Sequence, residues 1–168
     1  FGINEDIPFV AINIAVMTVS DTRTEADDRS GDTLAERISA AGHTVFDRAI
    51  VKDDQASIVA RLREWIAHPE IDAVISTGGT GVTGRDITPE AFHEVYEKEV
   101  TGFGELFRML SYDKIGTSTI QSRATGGVAG GRVVTPAGPP VVQLQTFSRS
   151  RIGSDTGNPC RIRSPAYG

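Results

Sequence analysis

Between Ser76 and Glu90 the chain reads Ser-Thr-Gly-Gly-Thr-Gly-Val-Thr-Gly-Arg-Asp-Ile-Thr-Pro-Glu, a concentration of glycine, hydroxyl and charged side chains. The four glycines, Gly78, Gly79, Gly81 and Gly84, permit positive φ and let a ligand approach the main chain closely. Free N–H groups on successive residues of such a loop form an anion-binding concavity, reinforced by the dipole of a following helix. Arg85 offers a counter-charge, and Asp86 a metal ligand or proton acceptor. The chemistry this suits is the holding of a phosphate or carboxylate. A turn that only joined two elements usually needs one or two glycines.

Two further acidic positions have similar potential. Asp21 follows Thr18-Val19-Ser20, and Asp53-Asp54 follows Ile50-Val51-Lys52. Asp54 has a structural use as a helix cap, whereas Asp53 has no such excuse. Asp27, Asp28 and Arg29 lie in a polar stretch, where they either line the site or are solvated, with solvation the better reading for Asp27. His43, His68 and His93 are scattered without ligand spacing, and Glu105 with Arg108 reads as a local i, i+3 ion pair. Cys160 is the only cysteine, which excludes an intrachain disulfide and a multi-cysteine metal site.

Two familiar motifs nearly fit the glycine run. Residues 79–84 spell G-x-G-x-x-G, the lettering of a dinucleotide-dependent oxidoreductase. There, however, a helix opens within the glycines and an acidic residue follows about twenty positions on at a strand end. Here the helix signal waits until Thr88, and Glu97 and Glu99 lie near a helix end. A P-loop demands Lys then Ser or Thr where this chain has Arg85-Asp86. Neither motif applies.

The elements that must position these residues are readable from periodicity. Val10–Val19 and Thr44–Val51 are β-branched runs, and Ile71–Thr77 leads into the glycine loop as a third strand. Leu34, Ile38 and Ala41 share one helical face, stopped at Gly42. Ile58, Leu62, Trp65 and Ile66 give a second helix, with Asp54 as its cap. Thr88 reads as the cap of the next helix and Pro89 as its first residue, with Phe92, Val95 and Tyr96 on its apolar side. Phe103, Leu106, Phe107 and Leu110 form a further face, and Ser118–Arg123 and Arg132–Val134 suggest two short strands. Strands alternating with helices predict an α/β fold, a three-layer α/β/α sandwich around a mostly parallel sheet. In such sheets ligands gather beside the carboxyl ends of the strands, where Ser20, Asp21 and Asp53 fall.

At 168 residues and 39% hydrophobic content the chain suits one domain with a sizeable core. A net charge of −5 argues against a general nucleic-acid or anionic-membrane binder, and no apolar stretch is long enough to span a bilayer. A cytoplasmic location is the expectation. Residues 1–8 read as a loose lead-in. From Pro136-Ala137-Gly138-Pro139-Pro140 onward the pattern breaks, and 147–168 keeps no helical apolar face. The division predicted is a domain over 9–146 and a divergent, irregular tail over 147–168.

Thr77-Gly78-Gly79-Thr80-Gly81, Arg85-Asp86 and Thr88-Pro89-Glu90 together resemble the signature of the MogA/MoaB family of molybdenum cofactor biosynthesis proteins. The resemblance extends through Thr18-Val19-Ser20-Asp21, Asp28-Arg29-Ser30-Gly31, Ile50-Val51-Lys52-Asp53 and Gly102-Phe103-Gly104-Glu105. It continues through Gln121-Ser122-Arg123-Ala124, covering residues 9 to 136. Phe107-Arg108-Met109-Leu110-Ser111 and Gly116-Thr117-Ser118-Thr119 are closer to the MoaB branch. It implies a MogA-like fold and adenylyl transfer from ATP to molybdopterin, or alternatively a non-catalytic molybdopterin-binding or carrier paralogue. By the same resemblance Asp53 and Asp86 are catalytic and hold Mg²⁺. Gly78, Gly79, Thr80 and Gly81 cradle a phosphate, and Ser20, Asp21 and Ser30 bind nucleotide or polar substrate groups. Arg85, Thr88, Pro89 and Glu90 complete the substrate-binding set, and Ser122 and Arg123 contact molybdopterin. The implied partners are molybdopterin, ATP and other proteins of the same biosynthesis, with the chain itself a homotrimer or homohexamer.

Overall fold

The computed structural model describes residues 9–136, and by backbone alone the strand residues 152–155 and 158–162. In chain order the first elements are β1 (Asn13–Val19), α1 (Arg29–Ala40), β2 (Thr44–Val51), α2 (Gln55–Ala67) and β3 (Ala73–Thr77). They are followed by α3 (Thr88–Val95), β4 (Lys98–Glu99), α4 (Thr101–Ile115), β5 (Gly127–Ala129) and β6 (Arg132–Pro136). The six strands form one sheet in the order β2-β1-β3-β6-β5-β4. β2, β1, β3 and β6 run parallel, and β5 and β4 close one edge antiparallel.

Residues on β1 alternate between two cores, as the two-residue period of a strand requires. Ala15, Met17 and Val19 pack with Ile58, Leu62 and Trp65 of α2 and Phe92 of α3. Ile14 and Val16 pack with Leu34 and Ile38 of α1, with Phe103 of α4 against the same cluster. The sheet is therefore covered on both faces, in three layers. This is why its central strands are continuous apolar runs: parallel strands covered on both sides have no polar face.

The helices start where the local chemistry dictates. Asp28 caps α1, its carboxylate accepting from Gly31 N at 3.0 Å, and Gly42 ends that region with φ 85°. Asp54 caps α2 by accepting from Ser57 N at 2.9 Å. Trp65, 2% exposed, lies against the sheet and donates its indole N–H to Asp47 Oδ2 at 2.8 Å.

Three sequence expectations need correction. Ser118–Arg123 is not a strand; Gly116–Gln121 is a 3-10 segment instead. Gly116, at φ 58°, ends α4, and the Thr119 hydroxyl then reaches back to Gly116 O at 3.0 Å, tightening the chain into a turn. Thr88 does not cap α3: Ile87 occupies that position, and Thr88 and Pro89 are the first helical residues. The tail is not irregular over the residues described there. β7 (Ile152–Asp155) pairs antiparallel with β8 (Asn158–Ile162), Asp155 opposite Asn158 and Ile152 opposite Ile162. The lead-in over 1–8, the Pro-Gly segment after Pro136 and the boundary at 146/147 lie outside the described residues.

Candidate functional site

The parallel register brings three strand ends to one level. Val19 of β1 lies opposite Val51 of β2, and Thr18 opposite Thr77 of β3. The next residues are Ser20-Asp21, Lys52-Asp53 and Gly78-Gly79, so the stretches singled out from sequence converge beyond the carboxyl edge of the sheet. Asp53 N donates to Asp21 Oδ1 at 3.1 Å, tying the first two together.

Two of the four glycines adopt left-handed backbone, Gly78 at φ 98° and Gly79 at φ 61°. A side chain is excluded at both for steric reasons as well. A Cβ on Gly78 would stand 2.2 Å from the carbonyl oxygen of Val19. On Gly79 it would stand 2.2 Å from Thr88 Oγ1 and 3.2 Å from Asp53 Oδ1. The loop thus packs its main chain between β1 and the start of α3, with only hydrogen where Asp53 and Thr88 approach. Thr88 N donates to Gly79 O at 3.1 Å and fastens the loop to α3.

Two polar atoms beside Gly79 are sealed from solvent without a hydrogen-bond partner, Asp53 Oδ1 and the hydroxyl of Thr88. A buried polar group normally has a partner, so this pairing asks for a ligand, ion or water. Burial pushes the Asp53 carboxyl above its ordinary range, and the charges of Asp21 and Asp86 push it further, with Arg85 acting in the opposite sense. The two aspartates singled out from sequence therefore feel each other across one site.

Asp86 has a different setting. Its Oδ2 accepts from Thr83 N at 2.8 Å and from the Thr83 hydroxyl, which with the Gly81 amide and nearby Arg123 holds it below the usual carboxylate range. It shapes the loop as well as facing the site.

A magnesium ion fits this donor set in one form only. Among the described residues no group of three or more His, Cys, Asp or Glu side chains is arranged to hold a metal. A cage made wholly by protein is therefore lacking there. Magnesium is commonly held by one or two carboxylates with substrate phosphates and water, and an orphaned, charge-crowded Asp53 meets that requirement.

The remaining predicted residues fall into two neighbouring groups. Ser20 Oγ accepts from Thr22 N and from Arg23 N, at 3.3 and 3.2 Å, while the Arg23 guanidinium reaches Ser30 Oγ at 2.8 Å. Ser20 and Ser30 thus share one network at the head of α1. Arg123 donates to Gly81 O at 3.2 Å and Asp86 O at 2.9 Å, and pairs with Glu90. Pro89, Glu90, Ser122 and Arg123 line a cleft of about 490 Å³. Arg85 is exposed, and Thr80 half-buried.

Sequence reasoning missed parts of this. Arg108 lines the same cleft and donates to Ser122 O and Ala124 O, at 3.4 and 3.3 Å, in place of the expected pair with Glu105. His93 is there too, 3.9 Å from Glu99. Asp28, expected to line the site or be solvated, is 2% exposed, and its Oδ2 accepts the Thr18 hydroxyl at 2.7 Å. Its signal was positional: an Asp three residues before a glycine that opens an apolar-faced helix is a cap.

Comparison with known proteins shows the family and the fold. A family model described as a probable molybdopterin binding domain matches residues 15–150. Molybdenum cofactor biosynthesis protein B of Escherichia coli strain K12 is 50% identical over 121 residues, 72% of this chain and 71% of that protein. A crystal structure of a molybdenum cofactor biosynthesis protein B superposes with a TM-score of 0.77 at 41% identity, covering 83% of this chain and 88% of that one. The tungsten cofactor synthesizing protein MoaB from Pyrococcus furiosus superposes at 0.71 with 34% identity, over 83% of this chain and 92% of its own.

Proposed function

From the premise that the chain belongs to the molybdopterin-binding domain family, on its MoaB branch, we propose that it adenylylates molybdopterin with Mg-ATP. Its process is molybdenum cofactor biosynthesis. In the proposed reaction an oxygen of the terminal phosphate of molybdopterin attacks the α-phosphorus of ATP. The bond to the bridging oxygen of the β-phosphate breaks, and pyrophosphate leaves.

One observation carries the reading: the sealed, partnerless Oδ1 of Asp53 beside the left-handed glycines of the loop. A carboxylate kept in that state, with the charges of Asp21 and Asp86 beside it, calls for a cation, and a glycine loop with left-handed backbone suits an anion. A nucleotide phosphate with its metal supplies both. Asp53, supported by Asp86, would hold magnesium, which when bound offsets the charge of the phosphates. The chain's own part is positioning and electrostatic, because phosphoryl-type transfer needs little covalent help from protein. Gly78, Gly79 and Thr80 would present main-chain donors, the Gly81 amide being engaged by the Asp86 carboxylate, while Arg85 adds positive charge and Asp21 fixes the Asp53 backbone through its amide.

The use of Asp86 Oδ2 in bonding Thr83 favours, as a second reading, a protein that binds molybdopterin or carries it to a partner without turnover. Incubation with molybdopterin and Mg-ATP, followed by mass spectrometry for the adenylylated product, separates the two. Product formed by the native protein and lost in Asp53→Ala supports transfer. Binding of molybdopterin without product supports the carrier, and binding of neither molybdopterin nor ATP removes both readings.

We further propose a cytoplasmic homo-oligomer, a trimer or hexamer. Among the described residues no helix is long and apolar enough to cross a membrane. Met109, Tyr112 and Ile115 of α4 and the adjoining Ile120 are 61%, 57%, 46% and 85% exposed, an apolar face suited to a second copy.

A further inference from the structure

We infer that Arg123 is a positioning residue that clamps the glycine loop in its binding shape, with Glu90 as its anchor, and does not touch substrate. The inference rests on the function proposed above and deepens it. Its guanidinium reaches across the chain from residue 123 to three groups of the loop and α3. One nitrogen donates to Gly81 O at 3.2 Å and to Asp86 O at 2.9 Å, and the other pairs with Glu90. Gly81 O and Asp86 O bracket the part of the loop that contains Thr83, Gly84 and Arg85. The bracketed segment is exposed from Val82 to Arg85 and has no hydrophobic anchor of its own: Val82 is 63% exposed.

Inside the bracket the hydrogen bonds among the described residues are the loop's own: Thr83 N and the Thr83 hydroxyl to Asp86 Oδ2, and Asp86 N to Thr83 O at 3.0 Å. Those bonds close a small ring but do not attach it to the body of the protein. Arg123 does, at both ends of the ring. Nη1 is engaged by two main-chain carbonyls and Nη2 by the Glu90 carboxylate, so the fork's donors are taken up by the loop and α3 although Arg123 stands at the cleft wall. Charge-assisted bonds of this kind are about twice as strong as neutral ones, and their planar geometry is specific to arginine. The positive charge of Arg123 also helps to keep Asp86 ionised.

Hydrogen–deuterium exchange on the ligand-free protein tests the clamp without reference to turnover. In Arg123→Ala the hydrogen-bonded amides of Thr83 and Asp86 exchange at least ~10-fold faster, the factor for loss of charge-assisted bonds, while those of β1 and α2 keep their rates. Arg123→Lys preserves charge but not the fork and matches Arg123→Ala in the loop. Glu90→Gln, which leaves the two carbonyl contacts in place, shows a smaller acceleration confined to the same segment. The second measurement is equilibrium binding of molybdopterin and of Mg-ATP to each variant. A clamp weakens both ligands in Arg123→Ala and Arg123→Lys. Unchanged loop exchange in Arg123→Ala, or a loss of molybdopterin affinity alone that Arg123→Lys restores, overturns the inference and makes Arg123 a substrate contact. Absence of adenylylated product from the native protein would defeat the proposed reaction while leaving the exchange result to stand on its own.

Discussion

Asp53 carries a local cost in folding at the position proposed to hold the metal. Its carboxyl titrates above the ordinary Asp range because burial and two neighbouring aspartates disfavour the charge. The sign follows directly: below the unfolded value of 3.8 the group is protonated in both states and costs nothing. As pH rises through the raised folded value the native state alone resists ionisation, and stability falls. In metal-free buffer Asp53→Asn is therefore expected to melt at a higher temperature than the native protein at pH 7. The gap should close as pH is lowered below 3.8, and thermal scans across pH check it. The same substitution is expected to reduce adenylylation by roughly 10²-fold or more, the scale for removing one electrostatic group from a reacting site. Gly79→Ala would place a methyl against Thr88 Oγ1 in left-handed backbone, and a loss of about 1–3 kcal/mol in urea unfolding is expected. The glycine loop was legible from residue types and spacing, Asp53 from the family resemblance, and the structure brings the two together beyond the strand ends. Which atoms stand partnerless, and that Arg123 turns toward main-chain carbonyls 37 and 42 residues away, depend on packing no local pattern records.

At the level of elements, the legible parts were those with strong local causes. β1, β2 and β3 announced themselves as β-branched runs, and α2 by its cap at Asp54 and the spacing of Ile58, Leu62 and Trp65. The segment after α4 misled because Ser118–Arg123 has strand-like composition, while its conformation is decided by Gly116 turning to positive φ one residue beyond the helix. The two helix caps should differ measurably. Asp54 is exposed, and Asp54→Ala is expected to cost about 1 kcal/mol. Asp28 is buried and also receives the Thr18 hydroxyl and Arg48 Nη2, so Asp28→Ala loses the cap and leaves Thr18, 2% exposed, unpartnered. About 2–4 kcal/mol is expected, read from urea midpoints at unchanged slope.

At the scale of the whole molecule the exposed apolar side chains of α4 bear on assembly. Met109, Tyr112 and Ile115 recur at three-residue spacing on α4 and Ile120 follows them, so this part of the subunit exposes four large apolar side chains. Ile120→Glu or Met109→Glu is expected to convert an oligomer into an 18.0 kDa monomer by light scattering, with the far-ultraviolet spectrum retained. An unaltered mass would place the interface elsewhere. Another property of the molecule follows from Trp65. It is the only tryptophan in the chain, is 2% exposed and stands on the helix that begins two residues after Asp53, with its N–H on β2. Its ultraviolet emission is accordingly a single-site, label-free optical gauge: a red shift would signal that the helix has lifted off the sheet, and with it the seat of Asp53.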